Sequence, residues 1–569
     1  METTRKSVSL ALAGSGGAGV MTAGNLLLEA AAQAGYYGLM TRSSGPQIRG
    51  GEAAAMLRIS TFATDGQDDG FQVLAAIDWQ NVTRFAAEIP LDSTSLILGD
   101  PSQGAAPEVF TRSGARYAPV PFKDLAKQHK DAWPNMIALG VLAGLIGLSP
   151  ESLERAIAKS MKKGVEAGIA AARLGMAQAG SLGSYRLAKP GSSTPRWLIT
   201  GNEAAGYGAL RGGVRFVAAY PITPATEMLE WLAPALAKLG GKMVQAEDEL
   251  ASINMILGAS YGGAPALTAT SGPGLSLMIE ALGLGVTAEI PVVVVDVMRT
   301  GPSTGIATKS EQADLNLAIY GLHGDAPHVV IAPNSLADCA IATEWAVNLA
   351  ESLQVPAIVL SDQYLGQARG VVEAPRPNGA AATRLVAQDS KTPYRRYAIT
   401  DSGISPMALP GAPLLSYTAD GLEHNERGIP SSQASDHSAQ MDKRARKLAQ
   451  LDPGEHWATL EGDGELAVIT FGSCTGPVRE ALARARADGT NARLISVRLL
   501  SPAQPERLAR ALQGVRRVLV IEQNHSGQFL RYLRAEGTLP AEVKSLRRPG
   551  PLPFRPGEIH RELMQWSRA

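Results

Sequence analysis

The sequence predicts a multidomain α/β protein, and three observations predict it. The chain has 569 residues, room for roughly three or four domains of about 150 residues each. Short apolar, β-branched runs alternate with helical stretches along most of it, the pattern of strands buried on both faces of a doubly wound sheet. Glycine is abundant, at 60 residues, while aromatics make up only 5%, which suits a fold with many tight strand-to-helix turns.

A first domain is expected over residues 1–188. Residues 8–13 read as a strand, Gly14-Ser15-Gly16-Gly17-Ala18-Gly19 as a loop and residues 20–34 as a helix. Gly14-x-Gly16-x-x-Gly19 has the form of a dinucleotide fingerprint, but that fingerprint needs an acid about 20 residues on, at the end of the second strand. That strand ends here in Leu39-Met40-Thr41-Arg42, so a phosphate-binding or tight-turn role is expected instead. The loop Ser44-Gly45-Pro46-Gln47-Ile48-Arg49-Gly50-Gly51 places one cation, Arg49, where a phosphate or carboxylate could be held. Strands and helices continue to a long Ala-rich helix near residues 150–178. The apolar run 136–148 is too short to span a bilayer. Arg5-Lys6 and the apolar run from Val8 imitate a signal peptide but lead into the glycine loop, so a soluble, unprocessed chain is expected. Residues 189–199, rich in Pro and Ser, read as a linker.

A second domain is expected over residues 200–374. Its apolar run 214–220 feeds Tyr220-Pro221-Ile222-Thr223-Pro224-Ala225-Thr226-Glu227. Thr223 is placed as N-cap and Pro224 as the first helical residue, leaving free N–H groups for a small anion such as a carboxylate. Glu247-Asp248-Glu249 opens another helix, and the helix dipole alone favours acids there. Glu249 is followed by Leu250-Ala251-Ser252-Ile253, so its carboxyl is expected to be buried and suited to sharing a proton. Residues 267–270 and 291–297 read as buried strands. Arg299 closes the second of them, at the carboxyl end of a parallel strand, where ligands bind and a guanidinium grips a carboxylate bidentately. Gly301-Pro302-Ser303-Thr304-Gly305 matches a nucleophile elbow in letters only, because an elbow needs a helix directly after its serine.

Residues 375–460 read as an extended connector with one helix near residues 439–451, and residues 461–569 as a smaller α/β domain. Gly462-Asp463-Gly464, with Asn491 downstream, imitates a magnesium- and diphosphate-binding motif. It precedes its strand instead of following one, so a plain turn is expected. Lys and Arg total 53, and so do Asp and Glu, which argues against nucleic acid as a partner. Two cysteines, Cys339 and Cys474, cannot ligate an iron–sulfur cluster or a structural zinc by themselves. They point to a reducing, cytoplasmic setting.

Taken as an ordered set, Tyr220-Pro221-Ile222-Thr223-Pro224, Thr268-Ala269-Thr270-Ser271-Gly272-Pro273-Gly274 and Arg299-Thr300-Gly301-Pro302-Ser303-Thr304-Gly305 resemble the α subunit of 2-oxoacid:ferredoxin oxidoreductases. The form resembled has a γ-type domain fused at the N-terminus, and the 2-oxoglutarate enzymes fit best. The loop around Arg49 looks like the γ-domain signature, and Gly421-Leu422-Glu423-His424-Asn425-Glu426-Arg427-Gly428 like a loop before the last domain. The resemblance implies a γ-type domain, a thiamine-enzyme pyrimidine-binding domain and a transketolase-C-like domain. It implies that Glu249 activates thiamine diphosphate, that Tyr220, Pro221 and Ile222 bind that cofactor with it, and that Thr223 and Arg299 hold the substrate carboxylate. Ser44 and Arg49 are implied for coenzyme A or substrate. Magnesium and a 4Fe–4S cluster are implied on a partner β subunit, in an (αβ)2 heterotetramer that reduces ferredoxin. The expected reaction is oxidative decarboxylation of 2-oxoglutarate, with pyruvate or a branched 2-oxoacid as alternatives. Arg42, Arg49 and Lys309 are candidates for a second substrate carboxylate. An assembly subunit without chemistry, and a serine hydrolase using Ser303, are the readings from other classes.

Overall fold

The computed structural model describes residues 4–45, 51–191, 194–376, 381, 383–388 and 393–568. They fall into two compact units. One comprises Met1–Thr200, Gln367–Ala374 and Leu552–Arg561, and the other Gly201–Gly366, Pro375–Pro551 and Glu562–Ala569.

The first unit carries a mixed sheet in the order Arg116–Pro119, Leu96–Gly99, Val73–Ala76, Ser7–Gly14, Ala53–Ser60, Tyr37–Ser44, Arg369–Glu373, Arg196–Thr200. Ala53–Ser60 lies between Ser7–Gly14 and Tyr37–Ser44 and is antiparallel to both, so these two strands do not pair as they would in a dinucleotide fold. Two expected boundaries move. Strand Arg196–Thr200 falls where the linker was read, and Arg369–Glu373, expected in the second domain, pairs with it and with Tyr37–Ser44. Strand pairing across a long sequence gap leaves no mark in local composition. The single helix expected near residues 150–178 is two, Pro150–Ser160 and Val165–Leu182. The apolar run 136–148 lies mostly in helix Pro134–Ile146, buried on every side, as a helix without a polar face must be. Among the described residues no helix is long and apolar enough to cross a membrane.

The second unit holds a seven-stranded sheet in the order Leu499–Ser501, Val329–Ile331, Pro356–Asp362, Val292–Met298, Ala266–Thr270, Phe216–Ala219, Lys242–Gln245. All pairs are parallel except that of Leu499–Ser501 with Val329–Ile331. A five-stranded sheet, Ala458–Glu461, Arg493–Val497, Leu466–Thr470, Arg517–Glu522, Glu542–Arg547, forms the C-terminal domain. The stretch read as an extended connector is packed. Arg396, Tyr397, Ser405, Met407 and Lys443 are fully buried, because helix Ala434–Ala449 brings Lys443 and Lys447 onto the buried Glu289. A run of Pro, Ser and charge looks solvated in sequence. Here its charges are neutralised inside.

Candidate active site

The segments after three neighbouring parallel strands converge. Phe216–Ala219 leads to Tyr220–Thr223, Ala266–Thr270 to Ser271, and Val292–Met298 to Arg299. Helix Thr226–Lys238 begins two residues later than expected, with Ala225 and not Thr223 at its N-cap. Proline disfavours helical backbone in the residue before it. A turn forms first, and the Thr226 N–H donates to the Ile222 carbonyl at 3.1 Å. This leaves two carbonyls free for side chains. Arg299 Nη1 donates to Thr223 at 2.7 Å, and Asn202 Nδ2 to Pro224 at 2.9 Å. Thr223 and Arg299 are thus joined through the backbone of the turn. Tyr220 is exposed, and Pro221 and Ile222 are half-buried.

Glu249 is the first residue of helix Glu249–Tyr261. Asp248 caps the helix, its carboxylate accepting the Ala251 N–H at 2.6 Å. Capping by Asp248 leaves Glu249 free to turn inward, where it is 7% exposed. It lies against Gly274, where an added Cβ would meet Thr270 Oγ1 at 2.1 Å and Glu249 Cγ and Oε1 at 2.7 and 2.8 Å. Among the described residues nothing hydrogen-bonds the Glu249 carboxylate, so a buried acceptor faces the site unpaired.

Arg299 is 6% exposed, and burial lowers its pKa against the opposing charges of Asp314 and Glu249. A Cβ on Gly272 would meet the two carboxyl oxygens of Asp314 at 2.5 and 2.7 Å. Asp296 is fully buried in strand Val292–Met298, opposite Thr270. Neither of its carboxyl oxygens has a hydrogen-bond partner among the described residues, nor has Asp314 Oδ2. Burial raises Asp296 well above the usual carboxylate range, and Asp314 raises it further. Burial and the charge of Glu311 push Asp314 up to about 7, against the pull of Arg299. Glycines 272 and 274 therefore admit two acids to one helix turn.

The 301–305 loop is closed by the Thr300–Ile306 bridge. Ser303 is exposed, and the next helix is Leu315–Tyr320, so this is no nucleophile elbow. Lys309, half-buried, donates its N–H to the Ile306 carbonyl at the loop's base. Gly462-Asp463-Gly464 is the turn between strands Ala458–Glu461 and Leu466–Thr470.

The chain is similar to known proteins over nearly its whole length. Residues 207–443 match the family described as "Pyruvate flavodoxin/ferredoxin oxidoreductase, thiamine diP-bdg". Residues 9–178 match "Pyruvate ferredoxin/flavodoxin oxidoreductase", and residues 464–548 match "Pyruvate:ferredoxin oxidoreductase core domain II". "2-oxoacid:ferredoxin oxidoreductase 2, subunit alpha" of Aeropyrum pernix is 32% identical over 94% of this chain and 93% of that protein. The chain belongs to the 2-oxoacid:ferredoxin oxidoreductases, as an alpha subunit. "2-oxoglutarate oxidoreductase subunit KorA" of Mycobacterium tuberculosis is 36% identical over 75% of this chain and 67% of its own length. A solved 2-oxoglutarate:ferredoxin oxidoreductase from Magnetococcus marinus, with 2-oxoglutarate, coenzyme A and succinyl-CoA bound, is 35% identical. Its TM-score is 0.90, over 99% of this chain and 100% of that one. The family recognised from the motifs and the α/β class are both borne out.

In this alpha subunit the γ-type loop expected to bind coenzyme A lies largely outside the described residues, Arg49 with it. Ser44 ends strand Tyr37–Ser44, paired with Ala53, and Arg42 is half-buried in the same strand. The Gly14–Gly19 loop is tied internally, Asp78 accepting both the N–H and the hydroxyl of Ser15, which fits the tight-turn reading. Sequence reasoning missed Asn202, Asp296 and Asp314. Asp296 had a visible signal, a lone acid inside the run Val292-Val293-Val294-Val295-Asp296-Val297. Asp314 had none, since it stands in an ordinary polar loop.

Proposed function

We propose that this chain is the α subunit of a thiamine-diphosphate-dependent 2-oxoglutarate:ferredoxin oxidoreductase. The reaction joins 2-oxoglutarate and coenzyme A to give succinyl-CoA and CO2, with electrons passed to ferredoxin. Its site is shared with a β subunit that supplies magnesium and a 4Fe–4S cluster, in a cytoplasmic (αβ)2 heterotetramer. The observation that supports this reading best is the facing of Glu249, buried at the start of its helix, and Arg299, just past strand Val292–Met298. The 2-oxoglutarate bound in the Magnetococcus enzyme and the name of the Mycobacterium relative favour 2-oxoglutarate over pyruvate.

A buried carboxylate with no internal partner, beside a glycine, suits the flat aminopyrimidine of thiamine diphosphate. When bound, that cofactor supplies the electron sink that lets a 2-oxoacid lose CO2. Glu249 then shares a proton with the ring, a general acid–base role. Tyr220, Pro221 and Ile222 would help hold the cofactor. Arg299, held by the Thr223 carbonyl, orients the substrate carboxylate, and the half-buried Thr223 takes part in the same clamp. Ser44 and Arg49 serve coenzyme A or substrate from the N-terminal domain.

The test is anaerobic purification with whatever chain copurifies, followed by viologen reduction with coenzyme A and either 2-oxoglutarate or pyruvate. Reduction that requires 2-oxoglutarate and coenzyme A together is expected. Reduction with pyruvate alone keeps the family and overturns the substrate. In the same complex Glu249→Ala should abolish turnover and leave assembly intact, whereas full activity would make this chain an assembly subunit.

A further inference from the structure

Asp314 is not used by the function proposed above. It stands at the N-cap of helix Leu315–Tyr320, yet its side chain makes no cap bond there. The carboxyl lies instead against Gly272, in the first turn of helix Gly272–Thr287. The C-terminal domain fixes it in place. Gln528 Nε2 donates to the Ala313 carbonyl and Gln528 Oε1 accepts the Asn316 N–H, each at 2.8 Å, so one amide brackets Asp314 on both sides. Just upstream the fully buried Gln312 donates to Phe471 O at 3.0 Å and accepts the Gln523 N–H at 2.9 Å. Such a clamp needs a reason beyond capping a short helix.

The surroundings supply one. Strand register sets Asp296 opposite Thr270, two residues before Gly272, which makes Asp296 and Asp314 neighbours. The charged groups that face Asp314 are Arg299 and Asp296 from the Val292–Met298 strand and its end, and Glu311 from its own segment. Glu249 stands across Arg299, and His525 faces Glu311. Arg299 is the cation whose charge acts on Asp314. Two of them keep carboxyl oxygens buried without a hydrogen bond among the described residues. A buried carboxylate without a partner costs several kcal/mol and takes a proton instead. A third carboxylate brought to Arg299 by an anionic substrate must be offset in the same way.

We propose that Asp314 is a positioning residue acting through Arg299: it is the resident counter-charge of that guanidinium, and the carboxylate of the incoming 2-oxoacid takes over the role as the Asp296–Asp314 pair gains one proton. This rests on the reading of Arg299 as the carboxylate clamp. The proton comes from solvent and returns to it after CO2 has left; the only bond made and broken is O–H. Asp314 sits at about 7, so the required proton is scarcer at each step of pH above neutrality. The KM for 2-oxoglutarate rises with pH there, by about tenfold per unit for a one-proton linkage.

The experiment compares KM and kcat for 2-oxoglutarate between about pH 6 and about pH 9 in the reconstituted complex, for wild type, Asp314→Asn and Arg299→Gln. Wild type should show the rise. Asp314→Asn, which carries no charge to compete with the substrate, should show a flat KM, below wild type at the alkaline end, with kcat changed less than KM. An Asp314→Asn variant that keeps the wild-type slope overturns the inference. An Arg299→Gln variant with unchanged KM at every pH overturns instead the clamp on which it rests. Should Asp314→Asn fail to assemble, infrared difference spectra of the wild-type complex decide. On adding 2-oxoglutarate above neutrality, a gain in protonated-carboxyl absorption is expected, and no gain rejects the proposal.

Discussion

Glu289 and Asp296 are both fully buried acids, just before and within strand Val292–Met298, and they meet opposite surroundings. Glu289 faces three cations. Lys447 Nζ is 2.5 Å from Oε2, Lys443 bonds Oε1, and Arg396 lies 3.9 Å away while donating to the Glu289 carbonyl. These charges hold its carboxyl far below the usual range against burial. The surplus positive charge meets aromatic faces: Arg396 lies 5.2 Å from the Tyr397 ring centre and 5.9 Å from that of Tyr417. Asp296 has an acid for a neighbour and no hydrogen bond among the described residues. Two buried carboxyls at one depth are thus an ion-paired clamp in the first case and an unpaired acid in the second. Charge balance, and not burial, separates them.

The largest effect should come from Glu289→Gln, which strands three buried cations. Breaking a buried ion pair costs about 3–5 kcal/mol, so thermal unfolding and soluble yield of the complex should drop sharply. Asp296→Asn should stay within about 1 kcal/mol of wild type, or exceed it, because a buried, unpaired acid is removed. Equal losses in the two variants would break the comparison. Gly274→Ala comes next. Its Cβ would stand 2.1 Å from Thr270 Oγ1 and 2.7 Å from Glu249 Cγ. Displacing Glu249 by about 1 Å should lower kcat about a hundredfold, against a stability loss of about 1–3 kcal/mol.

A pH signature sharpens the contrast. The folded pKa of Asp314 is raised from 3.8 to about 7. The folded state therefore binds more protons than the unfolded state between these values, and stability falls as pH rises through the window. Asp314→Asn should remove a slope of about 1.4 kcal/mol per pH unit, read as denaturant midpoints at acidic and neutral pH. An unchanged slope would place the titrating group elsewhere. The smallest effect is expected from Gln528→Leu. Loss of two hydrogen bonds worth about 1 kcal/mol each should loosen Asp314 and lower the KM for 2-oxoglutarate above neutrality several-fold, with the Glu289 cluster little changed.

Much of the fold was legible because its signals are local. The valine-rich strand, the helix opened by Asp248 and Glu249, and the Gly462–Gly464 turn all stood where residue pattern placed them. So did the position of Arg299 just past a strand. The Thr223–Pro224 reading missed by two residues, because proline's effect on its preceding residue outweighed its fitness for a helix start. The connector was misread for a different reason. Arg396, Lys443 and Lys447 look like solvent-facing charge, and only Glu289, far away in sequence, makes them interior residues.

By itself the sequence determined the α/β class, the family motifs, and the places of Glu249 at a helix start and Arg299 just past a strand. Each of these follows from apolar periodicity, caps and turn residues within a few positions of one another. The tertiary structure alone decided that Arg369–Glu373 joins the first sheet, that Gly272 and Gly274 are bare to admit Asp314 and Glu249, and that Asp296 and Asp314 keep carboxyl oxygens without a hydrogen bond among the described residues. These are facts of close approach between distant segments. The free energy of a buried charge depends on what lies within a few ångströms of it, and no local pattern records that neighbourhood.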